Sequence, residues 1–250
     1  MSKNLLVILA IVMTVFPAFT AHADFVTEQK KYERVRTAIR EKQQIIEARL
    51  KENNLETDNF NILMVAYKDS DLLELYAKKK EEIIYRKIHS YKICSRSGKP
   101  GPKRKQGDNQ VPEGFYHIDR FNPASNFYLS LGLNYPNLSD RRKSTFSNLG
   151  GDIFIHGACV TVGCLPMTDD KIKEIYLYAV YAKNNGQAKI PVYIFPFKMT
   201  DRNMAVYKTK YKNNQNLIDF WLNLKTGYDK FAANGNEINV SYIEGGDYKY

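Results

Sequence analysis

The chain has 250 residues, with 37 Lys and Arg against 27 Asp and Glu, a formal charge of +10 at pH 7. That length suits one domain, or one domain with a helical appendage, and no segment beyond the N-terminal stretch is apolar enough to cross a bilayer, which excludes a multi-span membrane protein. A basic balance favours acidic polymers or anionic lipid as partners, and charge alone does not choose among them.

Residues 1–23 carry Lys3, an apolar run from Leu5 to Phe19 and the small-x-small ending Ala21-His22-Ala23. This is the pattern of a secretory signal peptide cleaved after Ala23, which sends the protein to the periplasm. Pro17 and Thr20 interrupt the run before it reaches the ~20 apolar residues of a spanning helix, so no stable membrane anchor is expected.

Residues 24–56 form an N-terminal helical segment. Apolar Tyr32, Val35, Ile39, Ile46 and Leu50 recur at helical spacing among charges, which predicts one amphipathic helix over Thr27–Leu50. The main domain is expected over 57–230. Its runs Asn59–Tyr67, Asp71–Ala77 and Ile83–Cys94 are rich in β-branched and aromatic residues and read as successive antiparallel hairpins. Ser95–Gln110 is rich in Gly, Pro and Lys and reads as a long, exposed, basic loop. Strands follow at Gly114–Asp119 and Phe127–Leu133, then a polar loop through Arg141 and Arg142, then a buried strand Asp152–His156. A helix starts at Thr168 or Asp169 and ends near Lys183 before Asn184-Asn185-Gly186. Ile190–Phe197 is a further strand, Asp201–Leu224 a helix holding the sole Trp221, and 231–250 a C-terminal tail. The fold class is α+β: a mostly antiparallel or mixed sheet with helices at both ends.

Chemistry concentrates in Ile155-His156-Gly157-Ala158-Cys159-Val160-Thr161-Val162-Gly163-Cys164-Leu165-Pro166-Met167-Thr168. A thiol attacks as thiolate, and an imidazole beside it can take the proton and return it to a leaving amine. This needs the two groups about 3–4 Å apart, allowing for loose geometry before substrate binds. A strand delivers His156, the general base and acid, to an edge, and a short loop returns to Cys164, the nucleophile. Gly157 and Gly163 give the loop its freedom, and the amides around Gly163 and Cys164 are candidates to face an oxyanion.

These residues resemble the active-site motif of the L,D-transpeptidase (YkuD-like) family, an (S/T)-x-G-C element downstream of a His-Gly pair: here Thr161-Val162-Gly163-Cys164 after His156-Gly157. Gly107-Asp108 and Pro112-Glu113-Gly114-Phe115-Tyr116 resemble the segment that leads into the family's domain. The short span from His156 to Cys164, the added Cys159, Ser90-Tyr91-Lys92-Ile93-Cys94, Gly101-Pro102-Lys103 and Tyr193-Ile194-Phe195-Pro196-Phe197 resemble its YafK-like branch. The likeness runs from about Asn59 to Gly227. One departure stands out: Pro166 occupies the position where most members carry an Arg.

The resemblance implies a YkuD-like fold and acyl transfer on peptidoglycan stem peptides, with Cys164 attacking the carbonyl at the L-centre of the third residue, usually meso-diaminopimelate. An amine acceptor gives cross-linking, and water gives trimming. Release of a peptidoglycan-linked lipoprotein is an alternative outcome, and a catalytically idle wall-binding module is another. No cofactor is implied. Thr161, Lys99, Lys103 and Arg104 are candidates to touch the substrate, with a solvated loop the competing reading for the three cations.

Competing readings of the same residues are weaker. His156, Cys159 and Cys164 lack a clear fourth ligand for a structural zinc, so no metal is expected. The 18 tyrosines mostly alternate within strands, which favours packing over nucleic-acid stacking, and no nucleic-acid partner is expected. His89 and His117 fall within strands. A papain-like protease places its cysteine far before its histidine, the reverse of the order here. Three cysteines leave at least one unpaired within the chain. Cys94 and Cys159 are open to three states: bonded to each other, free and buried, or one of them pairing reversibly with Cys164.

Overall fold

The computed structural model describes residues 24–250; the expected signal peptide lies outside them. Helix α1 (Phe25–Gln29) starts at Asp24, whose carboxylate accepts the Thr27 amide at 2.7 Å. After a break at Lys30–Tyr32, α2 spans Glu33–Glu52. One helix was expected, but Tyr32 adopts extended backbone at the head of α2. The change of direction lets α1 dock separately: Phe25 packs edge-on against Phe121 at 4.9 Å, and buried Gln29 accepts the Tyr176 hydroxyl at 2.7 Å. Helix α2 buries Val35, Ala38, Ile46 and Leu50.

The strands β1 (Asn61–Tyr67), β2 (Leu72–Lys78) and β3 (Arg86–Lys92) form the expected antiparallel meander. They are followed by β4 (Gly114–Ser125), β5 (Tyr128–Leu133), α3 (Leu138–Lys143), β6 (Phe154–His156), β7 (Leu165–Pro166), α4 (Asp169–Asn184) and β8 (Ile190–Phe195). All eight strands share one mixed sheet in the order β3-β2-β1-β8-β4-β5-β6-β7, with β1/β8 and β6/β7 parallel. The chain ends with α5 (Asp201–Lys210), α6 (Gln215–Asn234) and a small ribbon of β9 (Ser241–Tyr242) and β10 (Tyr248–Lys249).

The central strands are buried on both faces, so β1 and β8 read as continuous apolar runs. Ile62, Met64 and Ala66 of β1 join one core with α2 and α4, while the intervening Leu63, Val65 and Tyr67 join a second with Trp221 and Leu224 of α6. The alternation of strand side chains thus assigns each residue to a helical layer.

Three local expectations are revised. The segment through Arg141 and Arg142 is helix α3, because Asn137 and Asp140 form a reciprocal capping box whose members are buried. The single C-terminal helix is two, broken between Tyr211 and Asn214, with Asn214 restarting the turn by accepting the Leu217 amide at 3.2 Å. Strand β4 continues to Ser125 because β5 pairs back along it. The 231–250 segment returns to the body, where Tyr248 is buried in the second core.

Candidate active site

The site lies at the β6–β7 end of the sheet. In the parallel register Ile155 pairs with Leu165 and His156 with Pro166. Ile155 and Leu165 face the core, so by alternation His156 and Cys164 leave the opposite face, offset by two residues, roughly 7 Å of strand. The Cys164 thiol is free and half-buried. It points at the Asp152 carbonyl oxygen, 3.6 Å away.

The loop between the two residues is organised by Thr161. Its hydroxyl oxygen accepts the amides of Gly163 at 3.2 Å and Cys164 at 2.8 Å, and its hydrogen goes to the Cys164 carbonyl at 2.9 Å. The two amides considered for an oxyanion are therefore held by Thr161 in this structure and not open toward a substrate. Gly163 has φ +133°, and a Cβ there would lie 2.9 Å from the Gln110 carbonyl. Its lack of a side chain admits the neighbouring loop. At Gly157 a Cβ would meet the Phe127 carbonyl and Asp169 Oδ1, both at 2.6 Å. Asp169 Oδ1 also accepts the Ala158 amide at 2.7 Å, tying the loop to the start of α4.

His156 is buried, with Nδ1 at 2.5 Å from the Gly157 carbonyl oxygen. A carbonyl only accepts, so Nδ1 carries the hydrogen and Nε2 is left with its lone pair, the tautomer a general base requires. Burial pushes the imidazole pKa down, opposed by the Gly157 bond. Burial pushes the Cys164 thiol up; the backbone at Phe154 and the cation of Lys103 oppose this, and the Asp152 carboxylate adds to it. Both directions favour a resting pair of neutral thiol and neutral imidazole over an ion pair.

Cys94 and Cys159 form a disulfide, with Cα atoms 5.6 Å apart. It fastens the middle of the His156–Cys164 loop to the chain leaving β3. The Cys94 amide also donates to the Pro166 carbonyl at 2.9 Å. Pro166 is buried in β7, the last strand of the sheet, where its missing N–H costs no ladder bond.

The 95–110 loop is irregular, as expected, but it is not a floppy exposed segment. Buried Lys68 donates to Gly101 O at 2.7 Å, Val111 O at 2.8 Å and Glu113 Oε1 at 2.9 Å. Glu113 also accepts the Gly101 amide at 2.7 Å and Trp221 Nε1 at 2.9 Å. One buried ion pair thus ties Gly101, inside the loop, to Val111 and Glu113 at its exit. Lys103 is buried and spent on Asp108 at 2.7 Å. Arg104 reaches Asp140 at 2.9 Å and lies over the Phe220 ring. Exposed Lys99 lines, with Arg104, Gln110 and Tyr211, a cavity of about 700 Å³. Of the three cations considered for substrate, only Lys99 has an uncommitted ammonium.

Lys68, Glu113, Gln110, Phe127 and Asp169 shape the site without having been singled out beforehand. Lys68 lies between the apolar runs Asn59–Tyr67 and Asp71–Ala77, and nothing in the sequence pairs it with Glu113, 45 positions on.

The family model for the YkuD L,D-transpeptidase catalytic domain matches residues 61–194. The chain is 40% identical over 181 residues to the Escherichia coli K12 protein named "Putative L,D-transpeptidase YafK", covering 72% of this chain and 70% of that one. Among solved structures it is similar to the helical cell shape determining protein Pgp2 of Campylobacter jejuni, at 17% identity, TM-score 0.44, over 75% of this chain and 74% of that one. It is also similar to Bd1075 of Bdellovibrio bacteriovorus, at 25% identity and TM-score 0.40, over 55% of this chain and 48% of that one. The chain belongs to the YkuD family of L,D-transpeptidase catalytic domains.

Proposed function

We propose that the protein is an exported enzyme that uses Cys164 and His156 for acyl transfer at the L-centre of diaminopimelate in peptidoglycan stem peptides. The observation that carries this reading is the free Cys164 thiol on the same face of β6–β7 as a His156 whose Nδ1 is committed to Gly157. Reaction requires sulfur to leave the Asp152 carbonyl and come within about 3–4 Å of Nε2. The thiol proton passes to Nε2 as sulfur attacks the carbonyl carbon, and the imidazolium returns that proton to the departing amine. The thioester left on Cys164 is resolved by an amine or by water. Attachment and release of a peptidoglycan-linked lipoprotein follow from the same thioester with a different partner.

The basic charge supports an acidic wall polymer as substrate. Export follows from the 1–23 leader; among the described residues no helix is long and apolar enough to cross a membrane. The test is incubation of the protein lacking residues 1–23 with defined tetrapeptide muropeptides and with lipoprotein-linked peptidoglycan, the products read by mass spectrometry. Loss or exchange of the group beyond diaminopimelate supports the reading. Unchanged muropeptides and unchanged lipoprotein linkage refute it.

A further inference from the structure

We propose that Arg34 and Phe127 are positioning residues for His156: Arg34 of α2 locks the β4–β5 turn, and that turn holds the Phe127 ring over the imidazole. The inference rests on the reading of His156 as the base. It adds that the base is oriented by a helix lying outside the 61–194 region matched by the family.

Ser125 and Tyr128 close the hairpin, leaving Asn126 and Phe127 as its loop. Arg34 Nη1 donates to the carbonyls of both closing residues, Ser125 and Tyr128, the latter at 2.7 Å, and its guanidinium lies 5.5 Å from the Tyr128 ring centre. Tyr128 has φ +71°, a left-handed conformation that a bulky side chain adopts only when its surroundings impose it. Inside the turn, Ser125 Oγ accepts the Phe127 amide at 3.0 Å and the Ser130 hydroxyl, and Ser130 pairs across the sheet with His156.

The consequence falls on the imidazole. The Phe127 ring lies 4.6 Å from the His156 ring, tilted by 32°. The Phe127 carbonyl occupies the space a side chain at Gly157 would need. The turn therefore covers one face of the ring and abuts the residue whose carbonyl fixes Nδ1. Phe127 keeps 41% of its surface exposed, so cover for His156, and not burial of its own area, is what this placement achieves. The charged and titratable groups at this corner are Arg34 from α2, Asp169 and Lys173 from α4, and Cys164 before β7. Arg34 is spent on the turn, Asp169 on the Ala158 amide, and Lys173 on Glu41 and the Tyr128 ring.

The test uses the protein lacking residues 1–23, with Phe127→Ala, Phe127→Leu, Arg34→Ala and Arg34→Lys. The His156 ring is titrated by NMR, with His156→Gln assigning the signal, and Cys164 alkylation is followed across pH. Phe127→Ala moves the imidazole titration up toward about 6.5, the value of an uncovered histidine. Phe127→Leu, which keeps apolar cover, stays near wild type. Arg34→Ala shifts in the same direction by less, and Arg34→Lys falls between it and wild type. Identical His156 titrations in wild type, Phe127→Ala and Arg34→Ala overturn the proposal. The readout needs no substrate, so failure of wild type to process muropeptides sinks the proposed function and leaves this test readable.

Discussion

The sulfur of Cys164 lies 3.6 Å from the carbonyl oxygen of Asp152, on the face of the sheet end that also carries His156. Burial pushes this thiol up and the imidazole down, which favours an uncharged couple over an ion pair. A thiol with a raised pKa reacts faster as pH climbs past its ordinary range of about 8.5. Alkylation of the protein by iodoacetamide is therefore expected to rise steadily above neutrality and to belong to the couple as a unit. A rate already at plateau near pH 6 would show a preformed thiolate and contradict the neutral pair.

Thr161 has three bonds within its own loop, so its removal is felt twice. Thr161→Val leaves the Gly163 and Cys164 amides without their acceptor and is expected to cost about 1–3 kcal/mol of stability. It also loosens the residue that carries the thiol. Thr161→Ser keeps the hydroxyl and retains most stability. Thermal unfolding of the two variants checks the order, and equal losses would remove the hydroxyl from the explanation.

How much of this was legible beforehand differs by element. The β1–β3 meander, α4 and β8 followed from their apolar runs, although Thr168 at the head of α4 makes no side-chain capping bond. The break at Lys30–Tyr32 was not legible: Gln29, at the end of α1, meets Tyr176, 147 positions away, a contact that leaves no local period. His156 and Cys164 drew notice because the motif is contiguous, and the β6–β7 register sets them on one face of the sheet end. Lys68 and Glu113 were not, because a buried ion pair between distant segments leaves no local period. Lys103 stood as a candidate substrate contact, with a solvated cation the competing reading, because the sequence does not show Asp108 turning back to meet it.

The Lys68–Glu113 pair gives a stability prediction. Lys68→Ala leaves the Glu113 carboxylate buried without its cation and is expected to cost about 3–5 kcal/mol. Removing both charges by Lys68→Met with Glu113→Gln costs much less than the sum of the single changes. Urea unfolding of the full cycle measures the coupling. Additive losses would mean that the two charges do not act as a pair in holding Gly101 against the loop's exit.

The disulfide closes a loop of 65 residues. Cys159→Ser is expected to lose about 2–4 kcal/mol, and the missing constraint should loosen the segment between His156 and Cys164. In unreduced, denatured protein a thiol reagent should modify Cys164 alone. Modification of Cys94 and Cys159 under those conditions would show that the bridge is absent.

The central claim is that Cys164 carries the acyl group. The most direct measurement is the mass of the Cys164 peptide after quenching the enzyme with a muropeptide donor, in wild type and in Cys164→Ala. The account predicts an acyl adduct on Cys164 in wild type, and no adduct and no turnover in Cys164→Ala. Processing of muropeptide or lipoprotein-linked wall by Cys164→Ala at the wild-type rate would contradict it.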